Sequence, residues 1–587
     1  MVTSALVDLL QRAIFAARDA GALPLSEETF AIQMNTSRNK LHGDYSCNIA
    51  LTLKKATGLS DSREIAQRIV AHIPTDSLVN RVEIAGPGFL NFYLKPTWLQ
   101  DALVTIEAQE SAYGTNNSLQ NESILIEFVS ANPTGPISVV NGRAAALGDT
   151  LGNLLVAQGA KVGREYYIND ALNSLQLEKF AASVCLRYLQ HLGHPLLIPA
   201  AEDEGEDRLE QGDPAKETLH FPKDGYRGEY VKDIARAIYE EVGDQYAQTD
   251  EAERNAYFRT ATLQSMIAVQ RTALEAFGVR YDTWFYESEL YAAGEVEKTI
   301  AYLKEKECAY FQDGALWLRA TQFGDEKDRV LVRSNEKATY IAADIAYHRS
   351  KFLRGYNRLI NIWGADHHGY VARLKAGVAS IGYDSTQLEI ILTQMVSLVR
   401  DGEAVIGGKR KGNVIELKED LIEDIGKDAA RFYFLLNSYE TPATVDVELA
   451  KKQSNENPVY YVQYAHARLS NILRRAEEME VLRQPASETD RALLTEQAEL
   501  DVLRKLQDYP DEIAAAARDF APHRLTRYAM ELGSLLNVFY ETCRVLPSIE
   551  SPQPVELTLV RLALVNSARI VLKNLLGMLG VSAPEKM

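Results

Sequence analysis

The chain has 587 residues, of which 46% are hydrophobic and 25% charged, and its 63 basic and 81 acidic side chains give a net charge of −18. This length predicts several structural units, while the apolar fraction excludes a disordered chain, and no apolar run approaches the roughly 20 residues of a membrane helix. The acidic balance alone disfavours a nucleic-acid partner, although a large protein can carry a local basic face.

Residues 1–118 are predicted to form an α+β unit. Leu6, Leu9, Leu10 and Ile14 have helical spacing, and the charged residues inside this helix are atypical of a signal peptide. Two alternating runs within 81–94, joined by Gly-Pro-Gly, predict a pair of strands. The four widely separated cysteines form no CxxC pair, so we expect neither disulfides nor zinc, and a cytoplasmic location.

Residues 119–175 are predicted to be the first half of an α/β domain. A buried-strand pattern at 123–129 is followed by a Pro/Gly turn, a helix at 142–158 and a strand at 164–168, which is a βαβ unit. Residues 176–325 then read as an insertion with an acidic loop and a helix at 259–277. Strand patterns at 330–333 and 359–363 predict that 326–455 resume the parallel sheet of a split nucleotide-binding fold. Residues 456–587 are predicted to form a helical bundle.

Glu127 lies near the carboxyl end of the first predicted strand, which is where open α/β sheets bind ligands. The turn that begins at Asn132 leads into a helix whose amino end suits a phosphate group. An ordinary strand-to-helix connection explains the same residues, so both interpretations stay open.

A second candidate is the helix that contains Tyr340, Asp344, Tyr347 and His348, which share one face. A tyrosine and an aspartate aimed at the pocket of Glu127 would suit a guanidinium or ammonium ligand. The alternative is a helix whose polar face lies in water.

Asp366, His367 and His368 follow the strand at 359–363. Neighbouring residues of an extended chain point to opposite sides and no supporting third ligand is spaced nearby, so a metal site is disfavoured. Gly364 and Gly369 beside these residues fit the close approach of a nucleotide base better.

Lys409, Arg410 and Lys411 stand between glycines and predict a mobile basic loop that can follow the charge of a transferring phosphate. An exposed basic turn is the alternative. In the predicted bundle, Tyr460, Tyr464 and Arg468 fall on successive turns and suit stacking and ion pairing with RNA, or else a protein core.

Taken together, these segments resemble a bacterial arginyl-tRNA synthetase, a class I aminoacyl-tRNA synthetase, almost end to end. The motifs that carry the resemblance are His42-Gly-Asp-Tyr45, Gly86 to Phe92, Glu127 to Pro136, Arg164 to Asp170, Trp363 to Tyr370, Gln453 to Arg468 and Phe539 to Val545. The resemblance implies a split Rossmann-like catalytic domain, an amino-terminal domain that contacts tRNA and a carboxyl-terminal bundle that binds the anticodon.

The resemblance also implies residue roles. Arginine would be bound by Glu127, Asn132, Tyr340, Asp344 and His367, and the catalytic positions would be Ser138, Asn141 and Lys409. ATP would be bound by Gly135, Ser138, Asn141, Gly364, Asp366, His368, Lys409 and Arg410. The tRNA would be bound by Tyr460, Tyr464, Arg468, Arg527, Tyr540 and Met587.

Two signature motifs depart from the family pattern. The family's H-x-G-H is here Ser138-Val-Val-Asn141, which retains hydrogen-bond donors but loses the imidazoles and the glycine. Its K-M-S-K is Ile406-Gly-Gly-Lys409, which keeps one lysine of two. Each lost donor to the transition state is expected to cost about 2.7–4 kcal/mol.

Two hypotheses follow. The favoured one is an arginine–tRNA ligase that uses L-arginine, ATP with Mg²⁺ and tRNA(Arg), holds no tightly bound metal, has no membrane contact and acts as a monomer. The other is a degenerate paralogue that binds arginine or tRNA without aminoacylation, motivated by the altered Ser138 to Asn141 segment. We also expect a continuous basic track from the bundle to the active site despite the net charge.

Overall fold

The amino-terminal unit combines a four-stranded antiparallel sheet with four helices. The coordinates form a computed structural model that describes residues 2–25, 30–36, 42–75, 78–171, 174–200, 207–405, 415–481, 488–548 and 552–587. The elements of this unit are α1 (Val2–Asp19), β1 (Met34–Thr36), β2 (Tyr45–Cys47), α2 (Ile49–Thr52), α3 (Lys54–Thr57), α4 (Ser62–Val70), β3 (Val79–Ala85) and β4 (Phe89–Leu94). The sheet order is β1-β2-β4-β3, and Leu6, Leu9, Leu10 and Ile14 are buried in its core, as their spacing predicts.

The linker helix α5 (Pro96–Gln109) leads into the first βαβ unit, formed by β5 (Ser123–Phe128), α6 (Val139–Ala157) and β6 (Lys161–Ile168). Helix α6 lies very close to the sheet, because a Cβ at Gly148 would be 2.3 Å from the Phe128 ring. Only glycine permits that approach. The predicted strand, turn, helix and strand are therefore confirmed.

A long helical region follows β6. Its elements are α7 (Leu175–His191), β7 (Leu196–Ile198), β8 (Arg208–Glu210), β9 (Leu219–His220), α8 (Glu229–Val242), α9 (Glu251–Ala276), β10 (Thr283–Tyr286), α10 (Glu287–Ala292), α11 (Glu295–Glu305), β11 (Ala309–Gln312), β12 (Ala315–Leu318) and β13 (Arg329–Val332). Strands β7–β9 and β11–β13 form two small separate sheets.

The chain then completes the central domain with α12 (Tyr340–Leu353), β14 (Arg358–Gly364), α13 (Val371–Ser380), β15 (Leu388–Thr393), β16 (Val396–Arg400), β17 (Glu403–Val405), a π-helix (Leu417–Ile422), α14 (Glu423–Ile425), α15 (Lys427–Phe434), β18 (Ala443–Asp446) and α16 (Val447–Lys451). The central sheet has the order β10-β6-β5-β14-β15 and every pairing is parallel. The strand order reverses between β5 and β14, so a crevice opens at their carboxyl ends.

Two expectations are wrong, one about which strand extends the central sheet and one about the residues that follow β14. The segment at 330–333 does not resume the parallel sheet, because β13 pairs antiparallel with β12 outside it. The strand that extends the sheet is instead β10, which pairs with β6 and lies within the predicted insertion. In addition, Asp366, His367 and His368 lie in a 3₁₀ turn (Ala365–Tyr370) and not on an extended chain.

The carboxyl-terminal region is helical, as predicted, with α17 (Pro458–Glu478), α18 (Glu488–Arg491), α19 (Gln497–Arg518), α20 (His523–Thr542) and α21 (Val555–Leu579). Its final residues fold back onto α17, where His466 Nδ1 donates to the Pro584 carbonyl at 2.8 Å. The amino-terminal unit docks on α19 through Tyr45, whose hydroxyl donates to Asp508 at 2.9 Å, and through an Asp44–Arg504 ion pair of 2.7 Å. No helix among the described residues is long and apolar enough to cross a membrane.

Candidate active site

A cleft of about 480 Å³ opens at the carboxyl ends of β5 and β14. Its wall is formed by residues from β5, α6, β6, α10, α12, β14 and the connections after these strands. Among them are Glu127, Asn132, Asn141, Tyr167, Glu287, Tyr340, Asp344, Trp363, Gly364, His367 and Tyr370. Seven of the residues predicted to bind arginine or ATP, including Glu127, thus line one cavity.

Glu127 points into the cleft with 6% of its surface exposed. Its Oε2 lies 2.5 Å from Lys351 Nζ, and Ser130 Oγ donates to its Oε1 at 3.2 Å. Lys351 also donates to Asn361 Oδ1 at 3.3 Å. Glu127, which was predicted to bind a guanidinium group, therefore already forms a buried ion pair with Lys351. The sequence analysis did not predict this pair.

Asp344 lies on the opposite wall of the cleft, where it accepts a hydrogen bond from the Tyr370 hydroxyl. Burial raises the pKa of this carboxyl to about 6, and the nearby Glu127 charge adds to the rise. Lys351 and Arg373 are near enough to lower this pKa, but among the described residues neither they nor another cation forms an ion pair with Asp344. The carboxyl can therefore accept a cationic ligand.

Glu287 is a third acidic residue of the cleft, and the sequence analysis missed it. It begins α10 directly after β10, it is 3% exposed, and its carboxyl contacts the Tyr167 hydroxyl. Burial raises the pKa of Glu287 to about 7, and the charge of Asp344 contributes to the rise. The signal was an acid at the carboxyl end of a strand, since Glu287 directly follows β10 and Glu127 is the penultimate residue of β5, but β10 lay in a segment assigned to the insertion.

Tyr347 and His348 form the base of the cleft rather than a polar face. The Tyr347 hydroxyl donates to Glu165 Oε1 at 2.7 Å. His348 Nδ1 donates to the Asp344 carbonyl at 2.8 Å, its Nε2 accepts from Asn361 at 2.9 Å, and burial holds its pKa well below the usual value. Tyr340, in contrast, is 66% exposed and stands at the mouth of the cleft.

Ser138 and Asn141 start helix α6 as a reciprocal capping box. Ser138 Oγ donates to Asn141 Oδ1 at 2.8 Å, and the Asn141 amide donates to Ser138 Oγ at 3.4 Å. Asn141 lines the cleft and Val140 is exposed beside it. The amino end of α6, with its partial positive charge, therefore borders the cavity.

The 3₁₀ turn after β14 contributes unequally to the cleft. His367 lines it, and its ring centroid lies 5.8 Å from that of Trp363. The side chains of Asp366 and His368 are exposed and are not part of the lining. No group of three His, Cys, Asp or Glu side chains among the described residues is arranged to hold a metal ion.

The basic loop predicted to contact ATP lies outside the described residues, with Ile406, Lys409, Arg410 and Lys411. Its exit is fixed beside the cleft, because the Val139 amide donates to the Ile415 carbonyl at 3.0 Å and the Leu417 amide to Ile137 at 2.8 Å. The described chain therefore resumes, at Ile415, beside the amino end of α6.

Four of the predicted tRNA-binding residues form one group on the bundle, in which Tyr464 and Tyr540 are exposed and Tyr460 and Arg468 are half-buried. The rings of Tyr460 and Tyr464 stack with centroids 6.0 Å apart, and the Arg468 guanidinium lies 4.0 Å from the Tyr540 ring centroid and 5.3 Å from that of Tyr464. Arg527 lies thirteen residues before Tyr540 on α20, which corresponds to about 20 Å along the helix. Met587 is 54% exposed at the end of the folded-back tail.

Three family models match the chain. Residues 4–94 match the arginyl tRNA synthetase N terminal domain, residues 194–465 match the class I (R) tRNA synthetase catalytic domain, and residues 462–587 match the DALR anticodon binding domain.

Curated relatives extend this similarity over the full length. The chain is 44% identical over 586 residues to an arginine–tRNA ligase of Carboxydothermus hydrogenoformans, covering 100% of this chain and 99% of the relative. It is 45% identical to that of Moorella thermoacetica, with 97% and 96% covered.

Among solved structures, an arginyl-tRNA synthetase of Campylobacter jejuni superposes with a TM-score of 0.72 at 31% identity, covering 84% of this chain and all of that one. The Thermus thermophilus arginyl-tRNA synthetase gives 0.72 at 22% identity with both chains covered completely, which shows the shared fold. The predicted fold class is thus confirmed.

Proposed function

The chain belongs to the arginyl-tRNA synthetase family of class I aminoacyl-tRNA synthetases, and we propose that it charges tRNA(Arg) in the cleft between β5 and β14. It is an ATP-dependent arginine–tRNA ligase: it activates L-arginine to arginyl-adenylate and transfers the arginyl group to the 3′ end of the tRNA. The observation that carries the site assignment is the acidic cleft beside the amino end of α6. The full-length similarity to ligases favours this function over a binding paralogue.

The arginine side chain would enter between Asp344 and Glu287, the two cleft carboxyls that have no cation within ion-pair distance among the described residues. A guanidinium presents five donors in a planar fork, which suits opposed carboxylates. Glu127, whose charge Lys351 balances, would accept from the guanidinium without leaving an uncompensated buried charge. Tyr340 and His367 would border the ligand, and Asn132 would bind the α-amino end.

ATP would lie across Gly364 and the amino end of α6, where Asn141 lines the cleft and Ser138 caps the helix. Ser138 and Gly135 are not part of the cleft lining, so they would contact ATP only at its edge. The Asn141 side-chain amide and the first amides of α6 are suited to donate to phosphate oxygens. Asp366 and His368 would meet ATP only from the rim, since their side chains face solvent. Lys409 and Arg410 would approach the phosphates from the loop that returns beside Val139.

In the first step the arginine carboxylate attacks the α-phosphate of ATP, a bond to that phosphorus forms, and pyrophosphate leaves. In the second, a ribose hydroxyl of the terminal adenosine attacks the carbonyl carbon, its proton is lost and AMP leaves. These residues position the reactants and stabilise charge, and no strong general base is required. Mg²⁺ would arrive with the phosphates of ATP, which supply oxygen ligands of the kind it prefers.

The tRNA would lie along the bundle, with bases stacked on the exposed rings of Tyr464 and Tyr540 in the group that also contains Tyr460 and Arg468. Arg527 and Met587 would be separate contacts because they lie away from that group. We further propose that the chain acts as a monomer. We also propose that it acts in the cytoplasm, since its four free cysteines fit a reducing compartment.

The test is charging of total tRNA with labelled arginine by the purified chain, ATP and Mg²⁺. Arginylation that is lost in Asp344→Asn, with the fold retained, is the expected result. If the wild-type chain binds arginine or tRNA but charges none, the binding paralogue is the correct description.

A further inference from the structure

The turn between β5 and α6 is held in a conformation that its own sequence does not favour. Val129 has φ of 70° and Ser130 has φ of 40°, both in the left-handed region. A β-branched residue such as valine is a genuine outlier there, and strain of this kind persists only where the surroundings impose it. The same turn supplies Ser130 and Asn132 to the cleft.

Tyr167 N donates to Ser130 Oγ at 3.1 Å, and the part of the turn that follows Ser130 is held by helix α9, more than 130 residues further along the chain. Gln270 of α9 is fully buried, and its Nε2 donates to two carbonyls of the turn, those of Asn132 at 3.1 Å and Gly135 at 2.8 Å. Both protons of one amide group are thereby used on the segment that connects the arginine pocket to the ATP site.

The acceptor end of the same side chain is also fixed. The Tyr166 hydroxyl donates to Gln270 Oε1 at 2.9 Å and accepts from the Ala131 amide at 3.1 Å. A second contact from the helical region reaches the turn, since the Tyr230 hydroxyl donates to the Thr134 carbonyl at 3.2 Å. Backbone atoms of four residues of the turn are therefore bound by Gln270, Tyr166 and Tyr230, none of which lines the cleft; the four are Ala131, Asn132, Thr134 and Gly135.

We propose that Gln270 is a positioning residue for adenylate formation, which holds the turn 129–135 so that Asn132 and the amino end of α6 meet arginine and ATP in one fixed geometry. This rests on the proposed function of the cleft. Positioning by Gln270 matters more in this chain than in enzymes with the H-x-G-H motif, in which two histidines bind ATP. Ser138 and Asn141 bring no charge, so catalysis depends more on the alignment of the reactants.

The experiment compares Gln270→Met, Tyr166→Phe and the double variant with the wild-type chain in arginine-dependent ATP–pyrophosphate exchange, with tRNA present. The matched control is Thr262→Val, because Thr262 is equally buried on α9 and its hydroxyl has no hydrogen-bond partner. We expect Gln270→Met to lower kcat about a hundredfold. The arginine dissociation constant and Tm should stay close to those of Thr262→Val.

The double variant separates positioning from loss of packing. If Tyr166 and Gln270 act as one unit, the double variant loses no more activity than Gln270→Met alone, whereas independent packing defects would multiply. Should Gln270→Met fail to fold, Tyr166→Phe carries the same test, with a reduced kcat and an unchanged arginine dissociation constant expected.

The proposal is overturned if these variants retain the kcat of Thr262→Val, or if kcat falls only in parallel with arginine affinity and Tm. A wild-type chain that shows neither exchange nor charging would refute the function of the cleft instead, so the two failures are distinguishable.

Discussion

Ser138 and Asn141, which the resemblance assigns to the two histidine positions of the class I signature, bind each other, with Ser138 Oγ 2.8 Å from Asn141 Oδ1. The capping box satisfies amide groups at the amino end of α6 without introducing a charge beside the proposed ATP site. A charge placed at Asn141 should therefore affect helix stability and ATP binding in opposite directions.

We predict that Asn141→Asp raises the KM for ATP while it leaves Tm unchanged or slightly higher. A carboxylate in the first turn of α6 favours the helix by about 0.3–1 kcal/mol but repels the phosphates. Steady-state kinetics and thermal unfolding check the two signs. Gln497→Glu, which adds the same charge to the first turn of α19 away from the cleft, should not change the KM for ATP. An unaltered KM in Asn141→Asp would remove Asn141 from the ATP site.

The sequence led to the strand, turn and helix around Glu127 because each signal there is local: an apolar strand, a Pro/Gly turn and a helical period. Glu287 was missed because its place in the cleft depends on the pairing of β10 with β6, more than 100 residues away in the chain. Lys351 was missed for a different reason. Its spacing from Asp344 places it on the same helix face, but its partner Glu127 lies across the sheet.

Variants of the Glu127–Lys351 ion pair should change the free energy of unfolding and the affinity for arginine independently. Glu127→Gln leaves a buried ammonium unpaired and is expected to cost about 3–5 kcal/mol of unfolding free energy. The double variant Glu127→Gln/Lys351→Met should recover most of that stability, because no lone charge remains, but not the affinity for arginine. Chemical denaturation and calorimetric titration with arginine measure the two quantities.

A matched control exists in the bundle, where the buried Glu499–Arg561 pair of 2.7 Å is broken by Glu499→Gln. That variant should lose comparable stability and bind arginine normally. If the double variant at Glu127 and Lys351 binds arginine as the wild type does, Glu127 is a structural residue and not part of the arginine pocket.

Asp344 and Glu287 form no ion pair among the described residues, and their pKa values predict that arginine binding releases protons. Burial holds the pKa of Glu287 at about 7 and that of Asp344 at about 6, whereas a bound guanidinium would keep both ionised. Arginine affinity should therefore fall as the pH drops through this window. Calorimetry in buffers of different ionisation enthalpy counts the protons released, and Glu287→Gln should abolish the upper step.

The unbound protein should respond to pH with the opposite sign. Both carboxyls have folded-state pKa values above their ordinary 4.5 and 3.8, so the stability they contribute is complete at low pH and is lost as the pH rises through about 6 and 7. Denaturant midpoints of the wild type, Glu287→Gln and Asp344→Asn, measured across this pH range, give the contribution of each carboxyl to the pH dependence of stability. An arginine affinity independent of pH, with no buffer dependence of the binding enthalpy, would contradict the assignment of these two carboxyls.

The aromatic group on α17 and α20 predicts that a substitution there weakens tRNA binding and leaves arginine binding unchanged. Tyr464→Ala should raise the KM for tRNA by an amount equivalent to about 1–3 kcal/mol, the value of one stacked base, because its ring is exposed between Tyr460 and Arg468. Calorimetric arginine binding should stay unchanged, since the cleft lies in another domain. Tyr239→Ala on α8 removes a similarly exposed tyrosine and should leave charging intact. Equal KM values for tRNA in the two variants would show that the bundle contacts the tRNA through a different face.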